Sequence, residues 1–496
     1  MRFLPVLAVV VAGLCTATTA GQQVRESTSK LLVQRAGLPA IDRGLRDRDL
    51  PRAARTRVDA ERVQKDGVDR LPYATGSIIV RFKDDAEPFD LVSIPDGADP
   101  EAAAAAMRAR ADVEYAQPRY RNHAMARPND TLYANQWSFP AIDMERAWDI
   151  QPGASSNIVV AVLDSGMAFA TVTISYNSRF SFRVTPGGPL YPPLGRVDVP
   201  FAAAPELGPS GSTRFVAPFD FIWNDDLPVD LDGHGTHVAG TIGQLTNNGS
   251  GTAGMAYNVR LMPVKIIDGI WDEVFGSPFG GTDDVVARGI RYAADNGAKV
   301  LNLSIGRTQG GAAPVVTDAI RYAVGRGCFV VLASGNTRDE GNQPNRLAQA
   351  APDIDGMIAV GAVGRTLNLA YYSTTGSYVE ISAPGGDQRQ GGMNAGILQQ
   401  SIDLDLLETY ERPPSQFGPP RADSFAYYYF QGTSMAAPHV SGFAALLMQQ
   451  GITDPAVIET AMKHFAIDKG VQGRDDAYGY GLINPRATLR GLGLAR

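Results

Sequence analysis

Cysteine is almost missing from this chain: Cys15 and Cys328 are the only two among 496 residues. Cys15 lies in a short apolar stretch at the start, so a chain trimmed there keeps one thiol and no internal disulfide. Long apolar runs are missing as well. The one at the N-terminus, Phe3 to Leu14, falls well short of the roughly 20 residues that cross a bilayer. It follows Met1-Arg2 and leads to Thr18-Thr19-Ala20, the form of a secretory signal peptide cut after Ala20. Cys15 has no small residue before it, so lipidation is not expected. A surplus of positive charge is absent: the formal net charge of -7 argues against a general nucleic-acid binder. These absences describe a protein exported to the extracellular space or periplasm, without a membrane anchor in its mature form. With 44% hydrophobic residues and 20% charged, it has an ordinary core to hold it together.

What is present changes in texture along the chain. Residues 21–72 are rich in Arg and Asp and read as a poorly ordered or loosely helical lead. Residues 76–82 then read as a strand, 100–112 as an alanine-rich helix opened by Pro100, and 113–118 as a second strand. Residues 119–128 look like a basic linker. From Asn129 onward, apolar strands at 158–163, 259–267, 300–304, 329–333, 357–362 and 379–383 alternate with helices at 283–296 and 315–325. Continuous apolar strands between helices imply a mostly parallel sheet covered on both faces. Ligands bind such sheets at the carboxyl ends of the strands. Residues 167–231 and 386–425 interrupt the alternation as long, turn-like insertions.

Four short segments carry chemical groups, and each has an ordinary reading when taken alone. Gly432-Thr433-Ser434 opens a helix, where a serine is most often an N-cap. Asp164 ends a buried strand, as a turn residue or as a carboxylate that orients a histidine. Asn336 follows the strand begun by Cys328, as a turn residue or as a donor to an oxyanion. His234 sits between glycines at a helix start, with His237 one turn further on. The segment lacks the His-x-x-x-His spacing and glutamate of a zinc-hydrolase helix, so His237 reads as a packed structural residue. Cys328 reads as a small core residue.

Together they supply an acid, a base, an amide donor and a nucleophile in the order Asp164, His234, Asn336, Ser434. The segments Val162-Leu163-Asp164-Ser165-Gly166, His234-Gly235-Thr236-His237-Val238-Ala239-Gly240-Thr241 and residues 432–442 closely resemble the motifs of the subtilisin-like serine peptidases. The resemblance covers roughly residues 129–490 and includes the order of the three motifs. It implies an α/β fold with a subtilisin-like, mostly parallel sheet flanked by helices, preceded by a small α/β prodomain. The implied domains are a signal peptide at 1–20, a propeptide at 21–124 folded at about 72–118, and a catalytic domain at 125–496.

The resemblance also assigns roles. Ser434 would be the nucleophile, His234 the general base, Asp164 its orienting acid and Asn336 an oxyanion donor. Ser304, Ile305 and Gly306 would pair with substrate, and Ala333, Ser334 and Gly335 would line the other side of the first pocket. The implied activity is a secreted serine endopeptidase that cuts proteins and peptides through an acyl-enzyme. It would be made as a zymogen with its own propeptide as intramolecular inhibitor. The competing reading is a catalytically inactive relative that binds peptides. No cofactor is required for the chemistry. The loop 245–254 occupies the place of a family calcium loop, but its ligands do not transfer, so the metal-binding residues stay unassigned.

Overall fold

The computed structural model describes residues 22–24, 56–58, 73–83, 89–95, 98–120, 127–277 and 280–491. The expected signal peptide, most of the lead segment and residues 121–126 of the linker lie outside these. Two compact units are present, one of residues 64–127 and one formed by 1–63 with 128–496.

In the smaller unit, β1 (Tyr73–Phe82), β2 (Asp90–Ser93) and β3 (Val113–Tyr120) form an antiparallel sheet with β1 in the middle. Helix α1 (Pro100–Arg108) starts where Asp99 accepts the N–H of Glu101 and Pro100, which has no N–H, needs no acceptor. Ile78, Val80, Ala104, Val113 and Ala116 make its core. The helix ends four residues before the expected Asp112, in a turn where Arg110 pairs with Asp112. β2 went unread because it is short and its residues alternate between half-buried and exposed.

The larger unit is built on a seven-stranded sheet. Its strands are β4 (Val159–Asp164), β7 (Phe219–Asp220), β8 (Arg260–Lys265), β9 (Val300–Leu303), β10 (Phe329–Ala333), β11 (Met357–Val363) and β12 (Ile381–Pro384). The order is β12-β11-β10-β9-β4-β8-β7, and every neighbouring pair is parallel. The expected parallel sheet is therefore present. In β4, Val159, Ala161 and Leu163 face one core, which also holds residues of α4 (Asp283–Asp295) and α5 (Pro314–Gly325). Val160 and Val162 face the other, with residues of α2 (His234–Gly243) and α6 (Thr433–Gln449). Burial on both faces is why these strands read as unbroken apolar runs.

The two insertions are more ordered than their Pro- and Gly-rich sequences suggested. The first forms an antiparallel pair, β5 (Val172–Ser178) with β6 (Gly195–Phe201), beside the three-residue strand Gln22–Val24. The second contributes β13 (Ile397–Ile402), which pairs with β14 (Phe425–Phe430), and Thr56–Val58 pairs along the other edge of β14. Aromatic rings hold the insertions together. Phe417 lies between Phe182, Tyr191 and Trp271 at centroid separations of 5.6, 5.0 and 5.7 Å. The indole N–H of Trp271, on α3 (Ile270–Val274), donates to the carbonyl of Leu407, so this fully buried ring leaves no polar atom unmatched. Trp271→Ala is expected to cost about 3–5 kcal/mol of stability. Its urea unfolding midpoint should fall accordingly; an unchanged midpoint would show that the rings only cover the surface.

Candidate active site

Strand order reverses around β4. The chain runs one way through β8 and β7 and the other way through β9 to β12, which makes a switch point where a ligand can enter. Asp164 is the last residue of β4, and Ser304 and Asn336 follow β9 and β10. Asp164, Ser304 and Asn336 therefore lie at one edge of the sheet, by the carboxyl ends of its strands.

Asp164 is fully buried, and its Oδ1 accepts the N–H of Ser165 at 2.7 Å. The same oxygen lies 2.7 Å from Nδ1 of His234, the first residue of α2. A carboxylate only accepts, so the proton belongs on Nδ1 and Nε2 is the basic nitrogen. Gly235 makes the approach close enough. A Cβ there would sit 2.1 Å from the carbonyl oxygen of Gly166 and 3.1 Å from Cβ of Asp164.

Ser434 is the second residue of α6 and is 9% exposed. Its hydroxyl donates to the carbonyl of Ser304 at 3.2 Å, and the Ser304 hydroxyl donates back to the Ser434 carbonyl at 2.8 Å. Asn302 and Ser441 extend this link, with Asn302 Nδ2 donating to Ser304 Oγ at 3.0 Å and Ser441 Oγ to Asn302 Oδ1 at 2.8 Å. Asn336 is held by its side-chain oxygen, which accepts from both N–H and Oγ of Thr433 at 2.9 Å. That grip leaves the amide hydrogens of Asn336 to donate elsewhere, one residue from Ser434.

The segments 304–306 and 333–335 are linked through Asn345. Its Nδ2 donates to the carbonyls of Ile305 at 3.1 Å and Ala333 at 2.7 Å. Gly306 has no room for a side chain, since a Cβ would come within 2.4 Å of that amide nitrogen. Ser334 accepts the Tyr378 hydroxyl at 2.8 Å on its carbonyl, and Gly335 donates to Thr433 Oγ1 at 3.2 Å. Asn345, Thr433 and the buried Asp230 were not singled out from sequence. Thr433 stood only as the neighbour of Ser434 in its motif, and Asp230 as a carboxylate just ahead of the His234 helix.

The other residues weighed from sequence settle into the core. His237 is buried with its ring stacked on Phe430 at 4.2 Å, and its Nε2 lies 3.1 Å from the carbonyls of Ile397 and Tyr428. Cys328 is buried, and loss of solvation pushes its thiol up to about 11, far from a reactive thiolate.

Residues 155–481 match the model of the subtilase family. The chain belongs to that family. It is a subtilisin-like serine endopeptidase, as the names of its relatives agree. A thermophilic serine proteinase of a Bacillus species is 31% identical over 434 residues, covering 83% of this chain and 86% of that one. An extracellular protease of Xanthomonas campestris is 28% identical over 392 residues, covering 74% of this chain and 57% of the other. Among solved structures, a protease from Pseudoalteromonas arctica matches with a TM-score of 0.54 and 28% identity, covering 74% of this chain and 99% of that one.

The tight contact at Gly235 gives this subtilase a simple test. Gly235→Ala must push the His234 helix away from the Asp164 loop, and turnover should fall at least about 10²-fold. Turnover of a peptide anilide within about twofold of the parent would mean that the loop yields freely.

Proposed function

We propose that the chain is a secreted serine endopeptidase made as a zymogen, working through Ser434, His234 and Asp164. The observation that carries this reading is the 2.7 Å bond from Asp164 to His234 Nδ1, formed by two buried side chains 70 residues apart. His234 Nε2 takes the Ser434 proton as Oγ attacks the peptide carbonyl, and Asp164 stabilises the imidazolium that results. The Nδ2 of Asn336 and the N–H of Ser434, at the start of α6, donate to the oxyanion. His234 then passes the proton to the leaving amine. Water, activated by the same histidine, hydrolyses the acyl-enzyme and frees Ser434. The segments 304–306 and 333–335 bind an extended stretch of substrate by backbone pairing.

The proposed maturation uses the N-terminal quarter of the chain. Residues 1–20 direct export and are removed; 21–124 act as propeptide, with the compact unit of β1–β3 and α1 as its folded inhibitory part. Cleavage between about residues 120 and 129 releases the catalytic domain at 125–496. The apolar N-terminus supports export.

A structural calcium ion fits the loop 245–254. Asp130 is 4% exposed, and its Oδ2 accepts the N–H of Asn247 at 2.9 Å while its Oδ1 has no hydrogen-bond partner. Glu206 accepts from Asn248 Nδ2 at 3.1 Å on the same loop. Two carboxylates bonded to one loop, one with an unmatched oxygen, suit a hard cation, which would neutralise buried charge and tie the loop to residue 130. Without it, burial raises Asp130 from 3.8 to about 6. The protonated acid then favours the folded state, so the metal-free protein should lose stability as pH rises from about 4 through 6. Calcium should therefore raise the melting temperature more at pH 7.5 than at pH 4.5, and Asp130→Asn should abolish most of that gain. No calcium effect at either pH would reject the site.

A fluorophosphonate should label the parent protein at Ser434 and leave Ser434→Ala unlabelled and unprocessed. Asn336→Leu should lower kcat about 10²–10³-fold with little change in KM, the magnitude established for this donor in subtilisin. An unlabelled parent that leaves casein intact would reject the peptidase mechanism.

A further inference from the structure

The first insertion returns to the active site through two charged residues that the reaction scheme does not use. Asp230, near its end, is fully buried and accepts five hydrogen bonds. Its Oδ1 takes Ser165 Oγ at 3.0 Å and the N–H groups of Asp232 and Gly233 at 3.0 and 2.9 Å. Its Oδ2 takes the N–H and Oγ1 of Thr236 at 3.0 and 2.6 Å. These donors belong to both sides of the Asp164–His234 bond. Ser165 adjoins Asp164, while Gly233 and Thr236 bracket His234. The Ser165 hydroxyl also accepts the N–H of Gly235 at 3.0 Å, and Ala168 N–H donates to Thr236 Oγ1 at 3.0 Å. One carboxylate thus anchors the loop of the acid and the helix of the base.

At the far end of the same ten-residue helix stands Arg214. Its Nη2 donates to the carbonyl of Gly243, the last residue of α2. A negative group at the N-terminus and a positive group at the C-terminus both oppose the helix dipole. Each also satisfies end groups that the helix cannot pair internally. Both residues come from 167–231, between the motif of the acid and the motif of the base.

We infer that the 167–231 insertion sets the position of His234 by gripping both ends of its helix, and that Asp230 is a positioning residue for the reaction. The inference rests on His234 acting as the base. Asp230 touches no substrate; it acts through Ser165, Gly233 and Thr236. Asp230→Asn keeps the shape but puts N–H groups where Thr236 needs an acceptor. Ser165→Ala cuts the bridge to the acid loop, and Arg214→Gln removes the charge at the C-terminal end.

The test is steady-state kinetics of the full-length chain and its three variants on a peptide anilide, with rates divided by the concentration of titrated active sites. For Asp230→Asn, kcat per site should fall about 10²-fold with KM within about twofold, since small displacements of a catalytic group carry losses of that order. Ser165→Ala and Arg214→Gln should each lower kcat about tenfold, and Arg214→Lys should recover most of the latter loss. Variants that melt earlier but keep the parent kcat per site would overturn the inference, leaving these contacts purely structural. Should Asp230→Asn fail to fold, Ser165→Ala and Arg214→Gln decide the matter on the same criterion. A parent that neither labels with fluorophosphonate nor turns over substrate would instead reject the peptidase mechanism itself.

Discussion

The hydrogen bond between Asp164 and His234 is the constraint to which the rest of the larger unit conforms. A fully buried carboxylate is costly unless its lone pairs are matched. In Asp164 two donors, the N–H of Ser165 and the imidazole, match Oδ1, while the buried Oδ2 has no hydrogen-bond partner and keeps its desolvation cost. Neither partner could hold the other alone. The end of a central strand fixes Asp164, and a helix start pressed against it through Gly235 fixes His234. The chain between them can carry a long insertion because loop-closure entropy grows only slowly with length. Here that insertion is also bound into the site, by Asp230 and Arg214.

The second half of the site depends on α6. This helix is buried along nearly its whole length, which is why its sequence is apolar on all sides. Ser434 therefore starts from a rigid base. Its hydroxyl and carbonyl are tied to Ser304, and Thr433 beside it grips Asn336. These hydrogen bonds tie Ser434, Ser304, Thr433 and Asn336 to one another. Such ties suit the proposed role of Asn336, since an oxyanion donor must be in place before charge develops.

The sequence was most readable where local pattern and tertiary position agree. The sheet strands were visible because burial on both faces leaves no polar residue to break the run, as in Val159 to Leu163. The four candidate side chains stood out because glycines surround them and because Asp164, His234 and Ser434 lie in recognisable motifs. The insertions were opaque for the opposite reason. Their strands are organised by contacts such as Phe182 with Phe417, which join residues more than two hundred positions apart and leave no local period. Asn345 was invisible because its partners are backbone carbonyls of Ile305 and Ala333, which any sequence would supply. Arg214 was equally hidden, since its acceptor is the last carbonyl of a helix.

In the small unit β1, α1 and β3 were legible and β2 was not, although the unit has a compact core and a capped helix. Its proposed part in maturation matters only if the larger unit can hydrolyse a peptide bond, which returns the question to Asp164 and His234. The most direct measurement is the low-field proton NMR spectrum of the purified protein. A proton on His234 Nδ1 held by Asp164 should give a resonance far downfield, and Asp164→Asn should remove it along with activity. A spectrum without that resonance, or one in which it survives Asp164→Asn, would contradict the central place given to this bond.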